Sequence, residues 1–287
     1  LAPVMEWVRD FDYVTCLSDR VAPGANAISL STQTGPTTYD IHEVVTANPF
    51  LSQFNANYED IDTNGIAVML AEEYAHAMFF IALVQEHDMM AFRMMSFSPR
   101  DNLQISFAQE AYASTLALMA AYELRDNGHP DILDTMESLN KYPQQRAAIE
   151  AALSDNPNAL TNGTAFEASF RAWFDDEELS DNYMYTMLRT YQETSMNLVL
   201  SMEPTTVVME QNFEPDTHIA TVLGHAMPGY TPSFSLGDVI DEAIARKPRD
   251  VQRALQSLYL RAADLQVMNG LVTPPSFNYP ASLRATQ

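Results

Sequence analysis

Three ionisable residues interrupt one of the most apolar stretches of the chain. Glu72, Glu73 and His76 lie in the middle of Ile66–Gln85, where almost every other position is hydrophobic. Such a stretch is typical of a helix that is buried on all sides. A buried carboxylate or imidazole costs free energy unless it is paired or coordinates a metal ion. We therefore expect these three side chains to be compensated by one another or by a cation.

The spacing of the three residues favours a cation. Glu72 and His76 are four residues apart, so they share one face of a helix, and Glu73 is one position further round. This is the layout of the His-Glu-x-x-His helix of zinc peptidases, with Glu72 in the position of the first histidine. In that helix the outer pair binds the metal and the inner glutamate acts as general base. A carboxylate in the first position makes the metal a weaker Lewis acid and favours harder ions, which predicts slower hydrolysis.

A third metal ligand is predicted on the next apolar helix, at Glu110. Glu110 is the only charged residue across most of Phe107–Arg125. Two consecutive helices that are joined by a loop can pack antiparallel, which would bring Glu110 to face His76. The sequence therefore predicts that Glu72, His76 and Glu110 hold zinc or another divalent metal, with Glu73 as the catalytic base. His218, His225 and Tyr230 are weaker candidates for a further ligand or a hydrogen-bond donor.

The elements that must position these residues are mostly helical. Only nine of the 287 residues are glycine and 47% are hydrophobic, which favours a well-packed helical protein. Apolar periodicity and breaker residues predict further helices at Asp131–Leu153 with a break at Pro143, Phe166–Phe174, Leu179–Met202, Leu236–Arg246 and Arg249–Val267.

The remaining segments are predicted to be short or irregular. Leu1–Leu17 is interpreted as a short helix and Ala27–Ser31 as a short strand. Asn156–Thr164 is predicted to be a loop, Glu203–Pro232 an irregular segment because of its prolines and glycines, and Pro274–Gln287 a surface tail.

Composition limits the possible partners. The net charge of −23 argues against binding to nucleic acid or to anionic lipid. Cys16 is the only cysteine, so neither an intramolecular disulfide nor a thiolate metal cluster is expected. The three ionisable groups at the centre of Ile66–Gln85 argue against a membrane span. Because the chain begins at Leu1, we expect that a preceding segment has been removed, and the sequence leaves the compartment open between cytoplasmic and exported.

Several motifs together resemble a bacterial putative metallopeptidase family whose members contain a His-Glu-x-x-His helix. The resemblance covers about Leu1–Ser201. It rests on the motifs Ala71–Ala77 (AEEYAHA), Phe107–Ala113 (FAQEAYA) and Phe170–Phe174 (FRAWF), followed by Tyr183.

The resemblance implies a zincin-like helical domain with few short strands, a metal at the first motif and Glu110 as a further ligand. The chain departs from the family pattern at Glu72 and at Tyr112, where the family tends to be acidic. We interpret residues 1–202 as this domain and residues 203–287 as an irregular segment with C-terminal helices packed on it. The implied function is metal-dependent hydrolysis of a peptide or protein substrate.

Three other interpretations remain open. The same scaffold could hold Glu72, Glu73 and His76 in mutual hydrogen bonds without any metal. It could also be a non-catalytic pseudoenzyme that binds a partner through its acidic surface. A di-iron carboxylate bundle would need a second Glu-x-x-His pair, and the chain has none. The sequence does not predict an oligomeric state.

Overall fold

A computed structural model describes residues 14–18, 27–31, 50–55, 67, 71–79, 82–83, 97–201 and 212–268. Helices make up most of these residues, which confirms the mainly α fold class. Residues 71–79 form the motif helix, which carries Glu72, Glu73 and His76. The helices that follow are α1 (Pro99–Asp126), α2 (Asp131–Ser138), α3 (Pro143–Asp155), α4 (Ala159–Asn162), α5 (Thr164–Trp173), α6 (Glu177–Ser201), α7 (Pro215–Ala226), α8 (Leu236–Arg246) and α9 (Arg249–Met268).

Three short strands precede the motif helix. They are β1 (Val14–Ser18), β2 (Ala27–Ser31) and β3 (Phe50–Asn55). The strand order is β1-β3-β2, with β3 parallel to β1 and antiparallel to β2. The strand predicted at Ala27–Ser31 is confirmed. The helix predicted at Leu1–Leu17 is wrong over its last four residues, which belong to β1 and include the β-branched Val14 and Thr15; its other residues lie outside the described part.

Proline and glycine fix several helix boundaries. Pro143 separates α2 from α3, as predicted, and occupies the first turn of α3, where its missing N–H costs nothing. Gly128 ends α1 with φ of +90°. The amide of His129 donates to the Leu124 carbonyl at 2.9 Å, and that of Gly128 donates to Arg125 at 3.0 Å, which together form a Schellman motif.

Two segments predicted to be irregular contain helices. The predicted loop Asn156–Thr164 holds the single-turn helix α4, and the segment Glu203–Pro232 holds α7. The prediction of an irregular segment rested on its prolines and is wrong for α7, because Pro215 begins this helix rather than breaking one. The three-four spacing of Ile219, Val222 and Leu223, all fully buried, is the helical signal that was present in the sequence. The predicted tail Pro274–Gln287 lies outside the described residues.

The chain divides into two compact units. The first unit comprises residues 1–91, 108–177 and 216–236, and the second comprises residues 92–107, 178–215 and 237–287. Each unit therefore draws on several separated stretches. The proposed division of the sequence at 202/203 stays a prediction. None of the helices that the structure describes combines the length and apolar character needed to cross a membrane.

Aromatic side chains form the core of the first unit. Tyr112 of α1 contacts Phe79 of the motif helix and Phe166 of α5, with ring centroids 5.5 and 6.5 Å apart. Phe166 in turn stacks on Phe170 at 5.7 Å. All four rings are fully buried. This cluster ties together the motif helix and α1, the two elements that carry the predicted ligands.

A buried polar network sets how α1, α3 and α5 align. The side-chain nitrogen of Gln145, which has two N–H donors, lies 3.1 Å from the hydroxyl oxygen of Ser114, 3.0 Å from that of Thr115 and 3.2 Å from that of Ser169. Each of these residues is at most 1% exposed. Because a buried polar group is costly when unpaired, this arrangement specifies one axial position for each of the three helices.

A second polar cluster in the first unit lies between α5 and the segment that follows α7. The Glu167 carboxylate accepts hydrogen bonds from the Tyr230 hydroxyl at 2.7 Å and from the amide and hydroxyl of Ser233 at 2.7 and 2.5 Å. The Tyr230 ring lies directly over Gly163, in a space that a side chain at that position would fill. One carboxylate thus attaches the segment after α7 to α5.

The second unit has its own buried polar contacts. The Lys247 amine donates to the Ser180 hydroxyl at 2.7 Å and to the Asp181 carboxylate at 2.6 Å, which joins the end of α8 to α6. Asp241 of α8 accepts from Arg100 at 2.7 Å and from Gln104 at 2.6 Å, both on α1. These contacts lie within the second unit.

Candidate metal centre

The motif helix is largely buried, in agreement with its apolar sequence. Ala75, Met78 and Phe79 are completely inaccessible to solvent. Glu73 and His76 are also buried, at 8% and 9% exposure, whereas Glu72 is only half-buried. The helix therefore presents Glu72 on its more accessible side and buries the two other ionisable residues of the motif.

The structure brings Glu72, His76 and Glu110 together. One ligand-type atom from each of these side chains lies within 4.8 Å of the others. His76 Nε2 and Glu110 Oε2 are 3.6 Å apart, and their side chains are 11% and 18% exposed. This is the only cluster of at least three such potential ligands within the described part of the chain. The antiparallel helix pairing that the sequence suggested would produce this arrangement.

The spacing of the three atoms is close to that of a metal site. Two ligands that each lie about 2.1 Å from one ion are separated by at most about 4.2 Å, and by about 3.4 Å in a tetrahedral site. The separation of His76 from Glu110 falls within this range. All three atoms lie within 4.8 Å of one another, so small movements of the side chains would bring them onto one ion.

His76 carries no compensating hydrogen bond to its cluster neighbour. The 3.6 Å between Nε2 and Glu110 exceeds hydrogen-bonding distance. Its Nδ1 is buried and has no hydrogen-bond partner among the described residues. Burial lowers the pKa of His76, against an opposing effect of the Glu72 carboxylate. The imidazole is therefore neutral near pH 7, and this is the form that binds a metal.

Glu73 is the most perturbed carboxyl group of the motif. Burial and the neighbouring Glu72 raise its pKa to about 8, and Lys141 acts in the opposite direction. Its Oε2 is buried without a hydrogen-bond partner in the described structure. Glu73 is thus protonated at neutral pH in the metal-free protein, and a nearby cation would favour the carboxylate.

Tyr142 and Lys141 are site residues that sequence reasoning missed. The Tyr142 hydroxyl donates to Glu72 Oε1 at 2.5 Å, and Lys141 is the cation that acts on Glu73. Both lie between α2 and α3, in a stretch whose only evident signal was the helix break at Pro143. No periodicity or motif connects them to Glu72, from which they are distant in sequence.

Tyr112 takes part in aromatic packing and is not one of the clustered potential ligands. It is completely buried between Phe79 and Phe166. Its hydroxyl has no hydrogen-bond partner among the described residues, and burial raises its pKa well above the ordinary value. Tyr112 is consequently a neutral core residue that holds α1 against the motif helix.

The weaker candidates from the sequence lie elsewhere. His218 and His225 are on α7 and do not belong to the cluster of potential ligands. The Tyr230 hydroxyl donates to Glu167. This contact occupies the Tyr230 hydroxyl, and its role as a hydrogen-bond donor at the candidate site stays a prediction.

The comparison with family models agrees with the site. Residues 59–200 match a family described as "Putative metallopeptidase family". This range contains Glu72, Glu73, His76, Glu110 and Tyr142. Residues 59–200 thus belong to this family, and its description as a metallopeptidase family suggests a divalent metal. Neither curated proteins nor solved structures gave a match.

Proposed function

We propose that this protein is a metal-dependent peptidase in which Glu72, His76 and Glu110 hold a divalent cation and Glu73 is the general base. The observation that carries the proposal is the convergence of three ligand-type atoms within 4.8 Å, next to a buried glutamate. Membership of a metallopeptidase family supports the reaction class.

The residues present fit a divalent cation. Two carboxylates and a neutral imidazole are common ligands of zinc, and the carboxylates also accept harder ions such as manganese. The buried Oε2 of Glu73 lacks a partner in the described structure, and a nearby positive charge would stabilise the carboxylate form of this side chain. When bound, the cation would polarise the carbonyl of the scissile peptide and stabilise the negative charge that develops on its oxygen.

Glu73 would move the protons of the reaction. As the carboxylate it accepts a proton from the attacking water, and it then donates that proton to the departing amine. A general base is most effective when its pKa lies near the working pH. Burial has moved the pKa of Glu73 to about 8, and a cation next to it would lower this value toward neutrality. Lys141 acts in the same direction as the cation.

The replacement of histidine by Glu72 would reduce the rate. With Glu72 and Glu110 as ligands and Glu73 nearby, the negative charge around the cation would exceed the charge of the ion, and its power to polarise a carbonyl would fall. We therefore propose a site of reduced activity. A Glu72→His variant is expected to raise kcat with a peptide substrate by at least 10-fold, and an unchanged or lower rate would contradict this part of the proposal.

A non-catalytic protein on the same fold is the second candidate. The hydrogen bond from Tyr142 favours it, because this bond satisfies Glu72 without any ion. In that case the acidic surface, rather than the buried cluster, would bind a protein partner.

Metal content of the purified protein separates the two candidates. After dialysis against metal-free buffer, we expect about one divalent ion per chain by mass spectrometry, and its loss in Glu110→Ala. Glu178→Gln, which alters an exposed glutamate, serves as the control and should retain the ion. A wild-type protein that binds no zinc or manganese, even when either is added, would overturn the proposal.

The role of Glu73 needs a separate measurement. A Glu73→Gln variant should keep its metal but lose at least 100-fold in kcat against a quenched fluorescent peptide library. Peptidase activity at the wild-type level in this variant would remove Glu73 from the mechanism.

A further inference from the structure

We propose that Tyr142 is a positioning residue, whose phenol holds Glu72 in the orientation that binds the cation. This inference rests on the proposed function and extends it. A glutamate in the first ligand position has one more side-chain torsion than a histidine, so a larger loss of conformational freedom accompanies metal binding unless another group fixes it. Tyr142 is the group that the structure supplies.

The hydrogen bond from Tyr142 leaves Glu72 able to bind an ion. The phenol donates to Oε1, and a carboxylate has about four acceptor positions, so both oxygens retain lone pairs for a metal. Tyr142 is only 9% exposed and the bond is partly shielded from water. Partners of this kind, which hydrogen-bond a ligating side chain, orient the ligand and tune the metal that it holds.

The backbone around Tyr142 is fixed on both sides. Asn140 has φ of +50°, which is explained by its place in the Schellman motif that ends α2. In this motif the Lys141 amide donates to Met136 at 2.8 Å and the Asn140 amide donates to Glu137 at 2.9 Å. The Lys141 carbonyl then accepts from the Arg146 side chain of α3 at 2.9 Å.

The conformation of Tyr142 itself has no such local explanation. Its φ of +49° and ψ of +51° place it in the left-handed region, although it is neither glycine nor asparagine. It lies after the Schellman motif, so the end of α2 does not require this conformation. The following Pro143 only disfavours the right-handed helical region, and an extended conformation would satisfy that restriction. Unusual backbone of this kind is concentrated at functional sites, where the surroundings hold it in place.

Together these contacts fix the loop between α2 and α3 next to the motif helix. The loop from Leu139 to Tyr142 places the Tyr142 hydroxyl within hydrogen-bonding distance of Glu72. It also carries Lys141, whose positive charge acts on Glu73. The left-handed turn at Tyr142 is therefore what the protein uses to bring a donor to the replaced ligand position.

The test is the zinc affinity of Tyr142→Phe, measured by competition with a chromophoric chelator. Removal of the phenol hydroxyl should weaken zinc binding about 10- to 100-fold. Tyr122→Phe is the matched control, because the Tyr122 hydroxyl donates to Glu150 at 3.1 Å, away from the cluster. This control should bind zinc as tightly as the wild type. Equal affinity of Tyr142→Phe and the wild type would overturn the inference while leaving the proposed function intact.

A double-mutant cycle shows whether Tyr142 acts through Glu72. In a Glu72→His background, Tyr142→Phe should change zinc affinity less than about 3-fold, because the ligand that it orients is gone. The same loss in both backgrounds would mean that Tyr142 only supports the fold, and would overturn the inference. If Tyr142→Phe is only partly folded, the rise of its Tm on addition of zinc reports the zinc affinity of the folded fraction, and a rise equal to that of the wild type would overturn the inference. A wild-type protein that binds no zinc or manganese would overturn both the proposed function and this inference.

Discussion

Single residues of the site could be predicted where local sequence spacing determines their position. Glu72, Glu73 and His76 belong to one helical turn, so their relative placement follows from helix geometry. The approach of Glu110 needed one further assumption, that two apolar helices pack together. Tyr142 could not be predicted, since its contact with Glu72 depends on a left-handed residue and on the packing of α2 and α3. The affinity of the cluster for a metal stays a prediction.

The buried carboxyl group of Glu73 should make the stability of the metal-free protein depend on pH. Its folded pKa of about 8 exceeds the ordinary value of 4.5, so the proton binds more tightly in the folded state. Its contribution to stability is complete below about pH 4.5 and is lost as the pH rises through 8. In EDTA, the free energy of unfolding of the wild type should therefore fall by about 3 kcal/mol more than that of Glu73→Gln between pH 5 and pH 8.

Urea denaturation at several pH values measures this difference. Glu73→Gln is the suitable comparison because the amide has the same size and never ionises. Parallel stability profiles of the two proteins would contradict the raised pKa of Glu73.

At the scale of elements, the helices with strong apolar periodicity were predicted well, whereas the pairing of strands that are distant in sequence was not. α8 begins and ends where predicted, and α9 differs only by one residue at its end, since strong periodicity and clear breakers mark both. α7 was missed because prolines were weighed more heavily than the spacing of its buried residues. The pairing of β1 with β3 joins distant segments, and no local pattern encodes such a register.

Two glycines with similar positive φ angles should respond differently to substitution by alanine. Gly128 and Gly163 have φ of +90° and +87°, so an alanine at either position is strained by about 1–2 kcal/mol. A Cβ at Gly128 meets open space, whereas a Cβ at Gly163 would lie 2.0 Å from the Tyr230 ring. Overpacking of this kind adds about 1–3 kcal/mol.

Chemical denaturation of the two variants isolates the steric contribution. We expect Gly163→Ala to lower the free energy of unfolding by at least about 1 kcal/mol more than Gly128→Ala. Equal effects of the two substitutions would mean that the Tyr230 ring moves aside without cost, and would contradict the close approach.

At the scale of the whole molecule, charge is the dominant property that the sequence establishes. The chain carries 38 acidic and 15 basic side chains, and an excess of one sign destabilises a compact state through self-repulsion. The separated stretches that make up each unit were not predicted, because contacts between distant parts of the chain decide them.

Salt should therefore stabilise the protein. Raising NaCl from about 10 to 300 mM shortens the Debye length from about 30 to about 6 Å and weakens repulsion between acidic side chains. We expect Tm to rise by several degrees in EDTA, where the candidate metal centre cannot contribute. Choline chloride should have the same effect if screening is the cause. A Tm that is constant or falls with both salts would contradict the argument.

Three hydrogen bonds from the segment after α7 converge on the Glu167 carboxylate, and this has a consequence for the behaviour of the segment in acid. Burial alone would raise the pKa of Glu167, but the hydrogen bonds from Ser233 and Tyr230 lower it below the ordinary 4.5. The stability that Glu167 contributes is therefore present above that value and is lost as the pH falls through the lowered pKa. Because these donors converge on one group, its protonation weakens all three hydrogen bonds at once, whereas the ring contacts of Tyr230 with Phe166 and of Phe234 with Phe170 remain. The polar part of this attachment should therefore be lost in a single titration rather than gradually.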